Sequence, residues 1–173
     1  WKIDLNENQK LGDLTKGSFL VIDTFSLHGI LPYYLPQALS KLTRAFEQQN
    51  LNDIIRHSAD IGHYIGDAHV PLHTTKNYNG QLSNQIGIHA FWESRLPELF
   101  AETEYDFFAG KAEYIDNTND FFWEIILESH THLGQVLKLE KELSLSFPSD
   151  QQFCYDERLG QTTRIQCEEY SKA

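Results

Sequence analysis

The sequence has no methionine, only two cysteines and only five prolines, and its 14 Lys and Arg are outnumbered by 25 Asp and Glu. Each scarcity excludes something. Without a methionine even at residue 1, the chain reads as a processed product or an excised fragment. No apolar run reaches the ~18 residues that a membrane-spanning helix needs, and no signal-like apolar segment occurs. The formal charge of −11 argues against a long basic groove for nucleic acid and against an anionic membrane surface. A bound divalent ion would reverse that sign locally, so the acidity does not exclude phosphodiester chemistry at a metal. Cys154 and Cys167 leave two readings open, a disulfide suited to an oxidising compartment or a pair of buried thiols.

What is present argues for a folded chain. Hydrophobic residues make up 40% of it, with eleven Phe, eight Tyr and three Trp, which excludes disorder. At 173 residues the chain is expected to be a single domain over 1–173, with residues 1–16 as an irregular polar arm. The apolar run 18–27 is too short to separate strand from helix. From Leu35 to about Gln49, Leu35, Ala38, Leu39, Leu42, Ala45 and Phe46 recur at helical spacing, with Pro32 and Pro36 delimiting the start. A second helix is expected over Asn52 to Ala68, with Ile54, Ile55, Gly62 and Ile65 facing the core. On its polar stripe, Asp60 is expected to pair with Arg56 or, failing that, to orient His63. A helix bearing His89 and Glu93 should end or kink before Pro97, which starts a short helix through Phe100. A long helix capped by Asn117 or Thr118 follows, with apolar residues from Phe122 to Leu143, and Pro148 bars its extension. Residues 151–161 read as loop, and Thr162 to Ser171 as a last helix. Repeats and low-complexity tracts are absent, and the fold class expected is all-α and bundle-like.

Chemistry concentrates between His63 and Glu93, in H-Y-I-G-D-A-H-V-P-L-H followed by a polar loop and H-A-F-W-E. His63 and Asp67 stand four apart, as do His89 and Glu93, so each pair projects from one face of a helix. His73 lies between them, beyond Pro71. Five candidate ligands thus come from three backbone segments. Imidazole and carboxylate without thiolate suit zinc, and three protein ligands with an open position form the pattern of a catalytic site. His69, two past Asp67, is left out of the set, and His28, His57, His130 and His132 read as hydrogen-bonded structural residues. The loop Asn77–Gln85, with Asn79-Gly80 as a tight turn, is expected to satisfy its own backbone, although its amides could reach a phosphate.

These motifs resemble the zinc-dependent phospholipase C and S1/P1 nuclease superfamily, over most of the chain from His28-Gly29-Ile30-Leu31-Pro32 to about Leu145. The resemblance implies a helical domain of that type holding up to three zinc ions. His63 and Asp67 would serve a metal pair that Asp67 bridges, as the catalytic carboxylate, and His73, His89 and Glu93 would hold the third ion. It also implies a phosphodiester substrate, single-stranded nucleic acid or phospholipid, and a secreted or periplasmic setting. No protein partner is identifiable. The family places a ligating Trp at its mature N-terminus, with further His and Asp ligands before the H-x-x-x-D helix. Here Trp1 is present, but the first histidine is His28 and no H-x-I-D motif precedes His63, so the N-terminal ligand segment reads as truncated or replaced. Only His73, His89 and Glu93 retain a full set. The functional expectation is a zinc-dependent, S1/P1 nuclease-like phosphodiesterase. The alternatives are a phospholipase C-like enzyme and a reduced domain keeping one structural zinc.

Overall fold

Two asparagines start the two longest helices by one device. Asn50 accepts the Asp53 N–H at 3.3 Å and donates its amide to the Asp53 carboxylate at 2.7 Å; Asn117 does the same with Asp120 at 3.2 and 2.6 Å. Each cap satisfies a backbone donor that has no partner within its helix, and each first-turn carboxylate sits favourably in the helix dipole. The computed structural model describes residues 29–158 and 160–173, and the unit Leu31–Ala173 carries these helices. Trp1, the 1–16 arm, the run 18–27 and His28 lie outside the described residues.

In order, α1 is Leu31–Glu47 and α2 is Leu51–Ala68, followed by a 3₁₀ turn at Pro71–Thr74. A single helical rod then changes pitch along its length: α3 at Ile88–Ala90, a π-helical segment at Phe91–Arg95, and α4 at Leu96–Glu104. The longest helix, α5, is Thr118–Ser146, after which come β1 at Phe153–Arg158, β2 at Gln161–Gln166 and α6 at Glu168–Lys172. The helical class expected is therefore seen in its broad form, with a two-stranded antiparallel sheet added. No helix among the described residues is long and apolar enough to cross a membrane.

Helix α5 meets three apolar clusters in succession. Near its start Phe122 and Ile125 pack with Leu35 and Ala38 of α1 and Ile61 and Ala68 of α2. Farther along, Val136 packs with Leu72 of the 3₁₀ turn and Ile88 of α3. At its end Leu143 borders Phe91, Cys167 and Tyr170. Fully buried side chains such as Leu35 and Leu72 each contribute roughly 1.5–3 kcal/mol through removal from water.

Several expectations need correction. Helix α1 begins at Leu31, ahead of the Leu35 expected, with Pro32 in its first turn, where its missing N–H costs nothing, while Pro36 lies inside the helix and does not delimit its start. On α2 the buried residues are Ile61 and Ala68, while Ile55 is 61% exposed and Gly62 is exposed, because the buried stripe is turned toward α1 and α5. Arg56 pairs with Asp53 at 3.1 Å, and Asp60 stands 3.8 Å from His57, so neither role expected of Asp60 occurs. The helix expected over Thr162 to Ser171 is strand as far as Gln166 and becomes helix only from Glu168. Phe153–Arg158 pairs with Gln161–Gln166, Phe153 opposite Gln166 and Arg158 opposite Gln161. Gly160, with φ +75°, supplies the turn, and the β-branched Thr162, Thr163 and Ile165 suit the extended backbone.

This hairpin is fastened at both ends. Cys154 and Cys167 form a disulfide with Cα atoms 5.0 Å apart, resolving the two readings left open by the sequence. At that same end Arg95 Nε donates to the Gln166 carbonyl at 3.0 Å, and at the other end the Arg158 guanidinium grips both Glu98 oxygens at 2.6 Å. The Arg158 hydrogen bond holds the Glu98 carboxyl below its ordinary range. That contribution to stability is present above the ordinary glutamate range and is lost as pH falls through the lowered value.

The bridge closes a loop with a sequence separation of 13. Replacing both cysteines by serine is expected to lower unfolding free energy in urea by about 3 kcal/mol, the scale for loops of this length. Reduction of the native protein should give the same shift; an unchanged midpoint would contradict it.

Candidate metal centre

Of the five predicted ligands, three converge. One nitrogen each from His73 and His89 and a Glu93 carboxylate oxygen lie within 4.8 Å of one another. Different backbone constraints deliver them. The Pro71–Thr74 turn cannot continue α2, because Val70 is extended before Pro71, and it aims His73 back across the helix end. Thr74 Oγ1 donates to the Pro71 carbonyl at 2.7 Å and must therefore accept from His130 Nδ1 at 2.9 Å, which ties the turn to α5. The rod of α3 starts at Gly87, whose φ of +102° few other residues adopt, and presents His89. Glu93 lies inside the π segment, where the Leu96 N–H reaches back to the Phe91 carbonyl. Such single-turn π segments recur at functional sites.

The donor geometry is that of groups aimed at a common point. Glu93 Oε1 lies 2.9 Å from His73 Nε2, and Oε2 lies 3.2 Å from His89 Nε2. A tetrahedral zinc site with bonds of about 2.0–2.1 Å has ligand-to-ligand edges of about 3.3 Å, close to both separations. His89 Nδ1 faces the Tyr78 carbonyl at 3.2 Å. A carbonyl can only accept, so Nδ1 carries the proton and Nε2 keeps its lone pair for a cation. Glu93 Oε1 is buried and makes no hydrogen bond; its contact with His73 Nε2 at 2.9 Å is an ion pair only when that imidazole is protonated. A buried carboxylate oxygen without a hydrogen bond costs free energy that a shared cation would offset. The residues present therefore fit a metal ion of the type that imidazole and carboxylate bind together.

The remaining two predicted residues extend the group outward. Asp67 Oδ1 stands 3.8 Å from His73 Nε2, and Asp67 Oδ2 stands 3.5 Å from His63 Nε2. The His63 side chain is 71% exposed, at the outer edge. His69 points away, its Nδ1 2.8 Å from the Ile65 carbonyl. A cleft of about 480 Å³ opens beside Asp67 and Glu93, walled by Gly66, Val70, Trp92, Leu96, Pro97 and Tyr105. Among the described residues no Lys or Arg lines it. The ligand side chains themselves are about a quarter to a third exposed, so the group can be reached from solvent.

The Asn77–Gln85 loop does satisfy itself. Asn77 Oδ1 accepts from Leu82 N at 2.7 Å, Asn77 Nδ2 donates to Ser83 Oγ at 2.9 Å, and Asn79 Oδ1 accepts from Gly87 N at 3.1 Å. Its use at the site is to hold the Tyr78 carbonyl in place, a role its side-chain composition does not advertise. Gly80 was the one local signal: a Cβ there would fall 2.1 Å from the Gln85 carbonyl oxygen. No family model matches the chain, and no curated protein or solved structure matches it either.

Two measurements follow. Elemental analysis of protein purified without chelators should show bound zinc that is lost in His89→Ala; protein carrying no zinc would remove the metal reading. Gly80→Ala should lower stability by about 1 kcal/mol or more and weaken zinc binding in a competition titration with a chromophoric chelator.

Proposed function

We propose that this domain is a zinc-dependent phosphodiester hydrolase that uses metal-activated water, in the manner of the S1/P1 nucleases. The observation that carries the proposal is the His73, His89 and Glu93 group, whose buried Glu93 Oε1 makes no hydrogen bond, opening on a cleft. When bound, a zinc ion acidifies water toward neutrality and withdraws charge from a phosphoryl oxygen. Three protein donors leave a coordination position for those tasks, whereas structural zinc sites are closed by four. This favours catalysis over a reduced domain with a structural zinc.

The chain's own residues have separable parts in this reading. Tyr78 fixes the His89 tautomer through its carbonyl. Glu93 supplies negative charge that keeps the ion in place. Asp67 Oδ1, at 3.8 Å from His73 Nε2, is too far for a hydrogen bond and is free to take a proton from the attacking water. With His63 it could instead hold a second cation. Trp92 and Tyr105 wall the cleft beside the reacting atoms. The lining, which among the described residues is apolar apart from Asp67 and Glu93 and has no Lys or Arg, also supports a second reading in which the diester is a phospholipid, since a polyanionic strand would find no countercharge along these walls. The disulfide supports a secreted or periplasmic setting.

Zinc-loaded protein is expected to cleave a bis-nitrophenyl phosphate diester, and comparison of single-stranded DNA with phosphatidylcholine micelles then separates the two substrates. Asp67→Asn should lower kcat by about 10²–10⁴-fold while the His73, His89 and Glu93 group still binds its ion. Failure of the loaded protein on all three substrates would overturn the hydrolase assignment.

A further inference from the structure

Behind the metal centre a carboxylate on α5 serves two segments at once. Glu140 Oε2 accepts from Gln85 Nε2 at 2.5 Å, and Glu140 Oε1 accepts from the Tyr170 hydroxyl at 3.3 Å. Gln85 is 7% exposed and its amide also donates to the Leu137 carbonyl at 2.7 Å, so its side chain is fully committed to α5. Tyr170 is 2% exposed and packs against Phe91, the first residue of the π segment, with ring centroids 5.7 Å apart.

Gln85 in turn controls how His89 is presented. Its carbonyl accepts from Ile88 N at 3.1 Å, the residue immediately before His89. Its N–H donates to the Gly80 carbonyl at 2.9 Å, and the Gly80 N–H donates to the Asn77 carbonyl at 3.0 Å, closing the turn that carries Tyr78. The backbone of Gln85 can approach Gly80 only because no Cβ is there. A displacement of the Gln85 side chain from α5 would therefore be felt both in the backbone before His89 and at the carbonyl that fixes its tautomer.

We infer that Glu140 is a positioning residue for the metal centre: it holds Gln85, and through it the Tyr78 carbonyl and the start of α3, so that His89 Nε2 faces Glu93. The inference rests on the reading of His73, His89 and Glu93 as metal ligands. Glu140 touches neither the ion nor the substrate in this arrangement. Its neighbour Tyr170 is kept protonated by burial and by the Glu140 charge, which preserves the hydroxyl as a donor. Residues that orient metal ligands from behind typically change metal affinity by about 10–100-fold when replaced.

The test uses Glu140→Gln, which keeps the volume but turns an amide donor toward the Gln85 amide or gives up the Tyr170 hydroxyl. Zinc affinity by chelator competition should fall about tenfold or more, and the visible spectrum of the cobalt-loaded protein should change, while far-ultraviolet circular dichroism retains its helicity. Tyr170→Phe, which removes the other partner of Glu140 and leaves its contact with Gln85, is expected to keep the affinity and the spectrum. Unchanged affinity and an unchanged cobalt spectrum in Glu140→Gln would overturn the inference, as would an equal loss in Tyr170→Phe. Absence of zinc from the unaltered protein would instead bring down the metal reading itself, and that result is obtained before any variant is made.

Discussion

The apolar stripe of α5 is the constraint on which the rest of the structure depends. A helix of 29 residues is about 43 Å long, and neither α1 nor α2 can cover such a stripe alone. Three separate clusters do so in turn: the α1–α2 pair, the 3₁₀ turn with α3, and the π segment with the C-terminal residues. Burying α5 therefore brings together the backbone segments that carry His73, His89 and Glu93. The metal donors approach one another because the apolar residues beside them, Leu72, Ile88 and Phe91, share a helix to pack against.

That arrangement sets like polarity against like and leaves a deficit. Two imidazole nitrogens and a carboxylate oxygen are held close by packing that owes nothing to their mutual attraction. The oxygen between them has no hydrogen bond. Around this point nearly every other polar group is matched: the loop from Asn77 to Gln85 bonds to itself, Thr74 links to His130, and Gln85 links to Glu140. Where the surroundings are hydrogen-bonded and the central oxygen is not, a cation would complete the group, which is why the proposed function rests there.

The C-terminal hairpin contributes support from outside. Its disulfide brings Cys167 into the cluster with Phe91 and Tyr170, and the Arg158–Glu98 pair ties its far end to α4. The π segment is thus held from both sides, by α5 within and the hairpin beyond. A helix that carries an extra residue in one turn keeps that geometry only when its neighbours enforce it.

What the sequence by itself determined is the local part. Helical spacing of apolar residues located α1, α2 and α5, a cap at Asn117 or Thr118 marked the start of α5, and the intervals of four in His63–Asp67 and His89–Glu93 placed each pair on one face, because these signals act within one or two turns. The strands were missed because Thr162, Thr163 and Ile165 become strand only opposite Phe153–Arg158, a pairing that periodicity in a short run does not reveal. Asp60 was misassigned because helix spacing offered it Arg56 while Asp53 was the better-placed partner for that arginine. The grouping of His73, His89 and Glu93 was legible through the resemblance, and the structure brings one donor atom of each within 4.8 Å; tertiary structure alone decided whether the cysteines join and how Glu140 reaches Gln85 across 55 positions of chain. Contacts of that range depend on how α5 is buried, and a hydrogen bond between distant residues leaves no periodic trace in either segment.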